Sequence, residues 1–181
     1  MRLMSQEDDV IGSAPRPPDQ RTNYTLDLRG VSFGSPAAIV TSMALIVGLD
    51  AAMATKAQVV GALLIIGIAD NLTDSLSVHI YQEAEHLAER QALRTTVCNF
   101  FARLVVSLSF AFAFLQSSPA LAIHAAVLWG FFLLSGLSYL LAKARGARPL
   151  PEIIKHDSVA LAVILISKGI GLLIRTVIGS A

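Results

Sequence analysis

Residues 57–81 read AQVVGALLIIGIADNLTDSLSVHIY, an apolar run that acquires two acids, Asp70 and Asp74, before it is long enough to end. The stretch has the ~20 residues needed to cross a hydrocarbon core of about 30 Å. Its ten Val, Leu and Ile residues between Val59 and Val78 contribute about −3 to −6 kcal/mol on the insertion scale, whereas two central aspartates cost about +5 to +7. The balance closes only if both carboxylates turn toward other helices or a wet cavity rather than lipid. Four residues apart, they share one helical face. The segment is therefore read as a membrane helix that needs neighbours.

Four further apolar segments supply them, at 36–54, 97–116, 120–142 and 158–178. The expected fold is an all-α membrane domain of five transmembrane helices over residues 31–181. It follows a flexible polar tail over 1–30 that carries Glu7, Asp8, Asp9 and the Pro15-Arg16-Pro17-Pro18 cluster. That tail has no apolar stretch of the signal-peptide kind. Composition agrees with a membrane protein: of 181 residues, 54% are hydrophobic and 15% charged, where a soluble domain carries about 25% charged. Mean hydropathy is +0.63. A net charge of +1 offers no basic field for nucleic acid. Cys98 is the sole cysteine, which excludes an intramolecular disulfide and any cysteine-built metal centre. No nucleophile triad, phosphate loop or dinucleotide fingerprint occurs, so neither an enzyme nor a cofactor is expected.

Alternate loops hold very different numbers of basic residues. With the N-terminus in the cytoplasm, that side holds Arg2, Arg16, Arg21, Arg29, Arg90, Arg94, Arg103, Lys143, Arg145, Arg148 and Lys155, against Lys56 opposite. Eleven against one predicts an N-in, C-out topology.

Charges inside the spans are the candidate functional groups. Lys168 and Arg175 lie seven residues apart on one face of the fifth span. At 1.5 Å per residue, Lys168 falls about 15 Å from the cytoplasmic boundary and Asp70 about 10 Å. Lys168–Asp70 and Arg175–Asp50 are thus allowed pairs. Such pairs either fix helix register or leave an acid to bind a cation or relay protons. Asp74 is expected to lack a basic partner at its depth, which makes it the foremost candidate carboxylate. Beyond it, Glu83 and His86 have the Glu-x-x-His spacing of two ligands on one face, suited to iron, manganese or zinc. The alternative there is a solvated helix extension. In the first span Ala44, Gly48 and Ala52 form a small-residue stripe that lets helices approach closely. It serves either packing within the protomer or, the reading taken here, a homodimer interface.

The run from Gly67-Ile68-Ala69-Asp70 through Asp74-Ser75-Leu76-Ser77-Val78 to His79-Ile80-Tyr81-Gln82-Glu83 resembles the second-helix signature of the vacuolar iron transporter family. The likeness extends more loosely, through topology and loop lengths, over residues 30–180. It implies a dimeric, five-helix, proton-coupled exporter of ferrous or manganous ions from the cytosol. Asp74 and Ser77 fall on the signature's acid and serine, and a transporter built this way would use Asp70 and Glu83 or His86 as cytoplasmic capture groups. Two positions depart from the pattern: Ser35-Pro36-Ala37-Ala38-Ile39 has no first-helix acid, and Val78 stands where the signature has methionine. These departures motivate the alternative, a non-transporting scaffold or regulatory relative whose intramembrane charges are structural. Lipid bilayer, a divalent metal ion as substrate and a second copy are the expected partners. The compact loops suggest a bacterial inner membrane.

Overall fold

The computed structural model describes residues 28–84, 89–116 and 119–179. It contains five helices: α1 (Leu28–Ala51), α2 (Lys56–Ala84), α3 (Glu89–Gln116), α4 (Pro119–Ala144) and α5 (Pro149–Val177). All five are long and apolar enough to cross a membrane, so the chain has the build of a multi-pass membrane protein. The predicted tail lies outside the described residues as far as residue 27, and α1 already begins at Leu28.

Every predicted span is present, and most are longer than the apolar segment that announced them. α3 extends upstream from residue 97 to Glu89, and α5 from residue 158 to Pro149. Polar residues at helix ends are invisible to a hydropathy window, yet the backbone stays helical through them. Pro149 starts α5 because a proline in the first turn loses no intrahelical bond.

Two helices end in the same way. The Gly146 N–H donates to the Lys143 carbonyl and the Ala147 N–H to the Ala142 carbonyl, with Gly146 at φ +67°. At the end of α1, the Met53 N–H donates to Asp50 and the Ala54 N–H to Leu49, with Met53 at φ +66°. Both are Schellman closures, whose left-handed residue is ordinarily glycine.

α1 is the central helix. Half of its membrane-crossing stretch is buried, against 17% for α5. It packs on α5, α3 and α4 and more lightly on α2, whose main neighbour is α3. Ile39, Met43, Ile46 and Val47 of α1 join Phe110 and Phe114 of α3, Ala126 and Leu134 of α4, and Ala160 and Ile164 of α5 in one core. Leucines, isoleucines and phenylalanines such as Ile65, Leu72, Phe112, Phe132 and Leu173 face outward, a surface suited to lipid.

The stripe assigned to a dimer interface is used within the protomer. Ala44 is buried. A Cβ at Gly48 would stand 3.2 Å from the Ser167 carbonyl of α5, and one at Gly171 would overlap the Gly48 carbonyl and meet the Ala51 side chain and Ala52 amide. Small residues on both helices bring the α1 and α5 backbones together. The stripe expected to face a second copy thus serves the α1–α5 contact within the protomer.

Candidate transmembrane charge site

Arg103 lies halfway along α3 and is 1% exposed, yet it carries a full charge. Burial of that kind is tolerable only when the guanidinium is well partnered. Four interactions engage all three of its nitrogens. Nε donates to Asn71 Oδ1 at 2.9 Å and one terminal nitrogen to the Gly34 carbonyl at 2.9 Å. The two terminal nitrogens also stand 2.5 Å from Asp70 Oδ2 and 2.5 Å from Asp74 Oδ2, respectively. Both aspartates sit on α2, one turn apart, so one planar cation spans them. Their side chains remain 42% exposed. The arrangement is a buried cation holding two carboxylates that still face outward.

Gly34 is what lets α1 approach this group. A Cβ there would come within 2.5 Å of Asn99 Oδ1 and 2.6 Å of Arg103 Cδ. Any larger residue would displace the guanidinium or the amide.

The pairs expected from sequence do not form. Asp70 pairs with Arg103, not with Lys168. Asp74, expected to be without a basic partner, has the same one. Lys168, Arg175 and Asp50 are all exposed and, among the described residues, none of them enters an ion pair. The reason is packing order: α2 lies chiefly on α3, while α5 lies on α1 and α4. Starting α5 at Pro149 also shifts Lys168 about 7 Å beyond the helix midpoint, from which a lysine stem can reach the headgroups.

Counted from the start of the apolar run at Val97, Arg103 lies only six residues in, near the cytoplasmic end, whereas α3 begins at Glu89 and places it at mid-helix. The signal that locates it is polar spacing rather than hydropathy. Thr95, Asn99, Arg103 and Ser107 recur every four residues and are all buried. They face Asn71, Ser75 and Gln82, which are buried on the matching stripe of α2.

Beside the triad a cleft of about 330 Å³ is lined by Gly34, Asp74, Ser77, Val78, Tyr81 and Asn99. Ser77 donates its hydroxyl to the Thr73 carbonyl, leaving oxygen lone pairs to accept. Asn99 is fully buried, and neither atom of its amide has a hydrogen-bond partner. On the other side of the pair, Asp70 borders a void of about 10 Å³ with Thr41, Ser42, Gly67 and Ser107, the size of one water.

Glu83 lies beyond the cleft lining. Its carboxylate stands 3.3 Å from His79 Nε2, and His79 Nδ1 is 3.5 Å from the Thr96 hydroxyl. His86, its expected fellow ligand, falls outside the described residues. Among those described, no three His, Cys, Asp or Glu side chains are grouped to hold a metal ion. A second polar seam joins α4 and α5, where Ser135 donates to Asp157 at 2.8 Å and Ser138 lies 2.8 Å from His156 Nδ1. No protein-family model, curated protein or solved structure matches this chain.

Proposed function

We propose that the protein carries a divalent metal cation, iron or manganese, across a membrane through the Asp74 cleft, in exchange for protons and outward from the cytosol. One observation carries the reading. Two carboxylates halfway along a membrane-crossing helix remain 42% exposed beside a polar cleft. Carboxylates left that open are expensive in lipid and belong on a wet path. Arg103 brings the triad's formal charge to −1, the sum of one arginine and two aspartates. An entering cation meets an attractive site, but one whose acids are already held. That weakens binding and favours release, as transport requires.

N-in, C-out orientation fits this reading. Taking Arg103 out of the loop count leaves ten basic residues against one. A homodimer also fits, now through the open side where Thr41 of α1 is exposed near Asp70. A second copy there would cover the acids that one protomer leaves uncovered.

The test is manganous or ferrous ion flux into proteoliposomes. Asp74→Asn should abolish flux while the melting temperature in detergent stays within a few degrees, because Asp70 still pairs with Arg103. Equal flux from the variant and wild type would remove Asp74 from the path.

The second reading, a non-transporting scaffold or regulatory relative, is favoured by a different observation: Arg103 engages both acids and is fully buried, as a register-fixing triad would be. It expects no protein-dependent flux. It also expects the combination of Arg103→Met, Asp70→Leu and Asp74→Leu to be at least as stable as wild type.

A further inference from the structure

The chemistry of the cleft bears on how a cation would be held. Stripping the water shell from a small divalent ion requires several oxygen, nitrogen or sulfur ligands converging at about 2.0–2.6 Å. The cleft has one carboxylate, Asp74, and one of its oxygens is already on Arg103. Its other polar groups are Ser77, Tyr81 and Asn99, with Val78 contributing only hydrocarbon. No three His, Cys, Asp or Glu side chains converge there or elsewhere among the described residues. This is a poor inner coordination shell.

The same groups make a good outer one. At about 330 Å³ the cleft exceeds the roughly 200 Å³ that an ion and six waters occupy at about 30 Å³ per water. A hydrated ion presents O–H donors in every direction, and the cleft answers with acceptors: the free carboxylate oxygen of Asp74, the Ser77 hydroxyl and Asn99 Oδ1. Asn99 supplies the independent sign of a ligand, since a fully buried amide with both atoms unpartnered costs free energy unless something fills the space beside it. A water held on the ion can donate to its oxygen, and a water of the next layer can accept from its nitrogen.

We infer that the cleft takes a divalent cation with its first water shell intact, recognised through hydrogen bonds from coordinated water to Asp74, Ser77 and Asn99. The inference rests on the cation-path reading above and names the form in which that cation binds.

Cobalt(III) hexaammine tests it, because its six ammonia ligands do not exchange and it matches a hexahydrate in size and outward N–H donors. Wild-type protein is reconstituted in phosphatidylcholine vesicles, which carry no net charge to attract the probe, and manganous ion uptake is followed. Competitive inhibition is expected, with an inhibition constant within about tenfold of the manganese KM. Asn99→Leu, checked for folding by size exclusion, should weaken manganese and hexaammine together by about tenfold, as one lost hydrogen bond would. Asp74-dependent manganese uptake that ignores hexaammine at about one hundred times the manganese KM overturns the inference and leaves the transport reading standing. Absence of any protein-dependent uptake by wild type overturns the transport reading and the inference with it.

Discussion

Arg103 is the one cation that Asp70 and Asp74 share. Removing it leaves both acids without compensation, a loss of about 3–5 kcal/mol for fully buried pairs. Asp70 and Asp74 are 42% exposed, so water recovers part of that loss. Arg103→Met is expected to cost about 3 kcal/mol, read as a lowered denaturation midpoint in detergent. Arg103→Lys should recover only part of it, because an ammonium cannot reach Asn71, Gly34, Asp70 and Asp74 with one planar fork. Equal stability of the lysine variant and wild type would mean that charge alone, not geometry, holds the triad. Gly34 belongs to the same account. Its missing Cβ makes room for Asn99 and Arg103, so Gly34→Ala should destabilise by about 1–3 kcal/mol.

At the scale of the element, the two Schellman ends offer a controlled comparison. Met53 and Gly146 occupy the same left-handed position with nearly the same φ, and a side chain there costs about 1 kcal/mol or more. Met53 is 68% exposed and buries little that would be lost. Met53→Gly should therefore raise stability by about 1 kcal/mol and Gly146→Ala lower it by a similar amount, both measurable by thermal melts in one detergent. The α1–α5 contact makes a larger demand. A Cβ on Gly171 would overlap the Gly48 carbonyl, so Gly171→Leu should separate the two helices and unfold the protomer. A variant that stayed folded while losing only self-association would return that stripe to an interface between copies.

For the whole molecule, the proposed homodimer calls for a face other than the Ala44–Gly48–Ala52 stripe. α1 packs on α5 along Ala44 and Gly48 but exposes Ala37 and Thr41, the second of them beside Asp70 of α2. With Cys98 replaced by serine, Thr41→Cys should self-crosslink in native membranes and Ala44→Cys should not. Crosslinks confined to the outer face of α5, where Lys168 and Arg175 are exposed, would place the partner elsewhere. The acids would then have to be covered by water alone.

Five spans, their approximate limits and the need for Asp70 and Asp74 to face something polar are all written in the sequence. Each follows from local quantities: the length of an apolar run, the transfer cost of a charge and the 100° step of a helix. Which groups meet those acids is not local. Arg103 lies inside the apolar run of α3, but trimming the helix to that run places it near the cytoplasmic end rather than at mid-helix. Packing order decided between Lys168 and Arg103, through small residues such as Gly48 and Gly171 that bring α5 onto α1, and through the buried polar ladder of Thr95, Asn99, Arg103 and Ser107 that brings α3 onto α2. The same packing used the Ala44–Gly48–Ala52 stripe inside the protomer and left the Asp74 cleft open beside an unpartnered Asn99. Sequence periodicity says which residues share a face, whereas the neighbour of that face depends on how all five helices fit together at once.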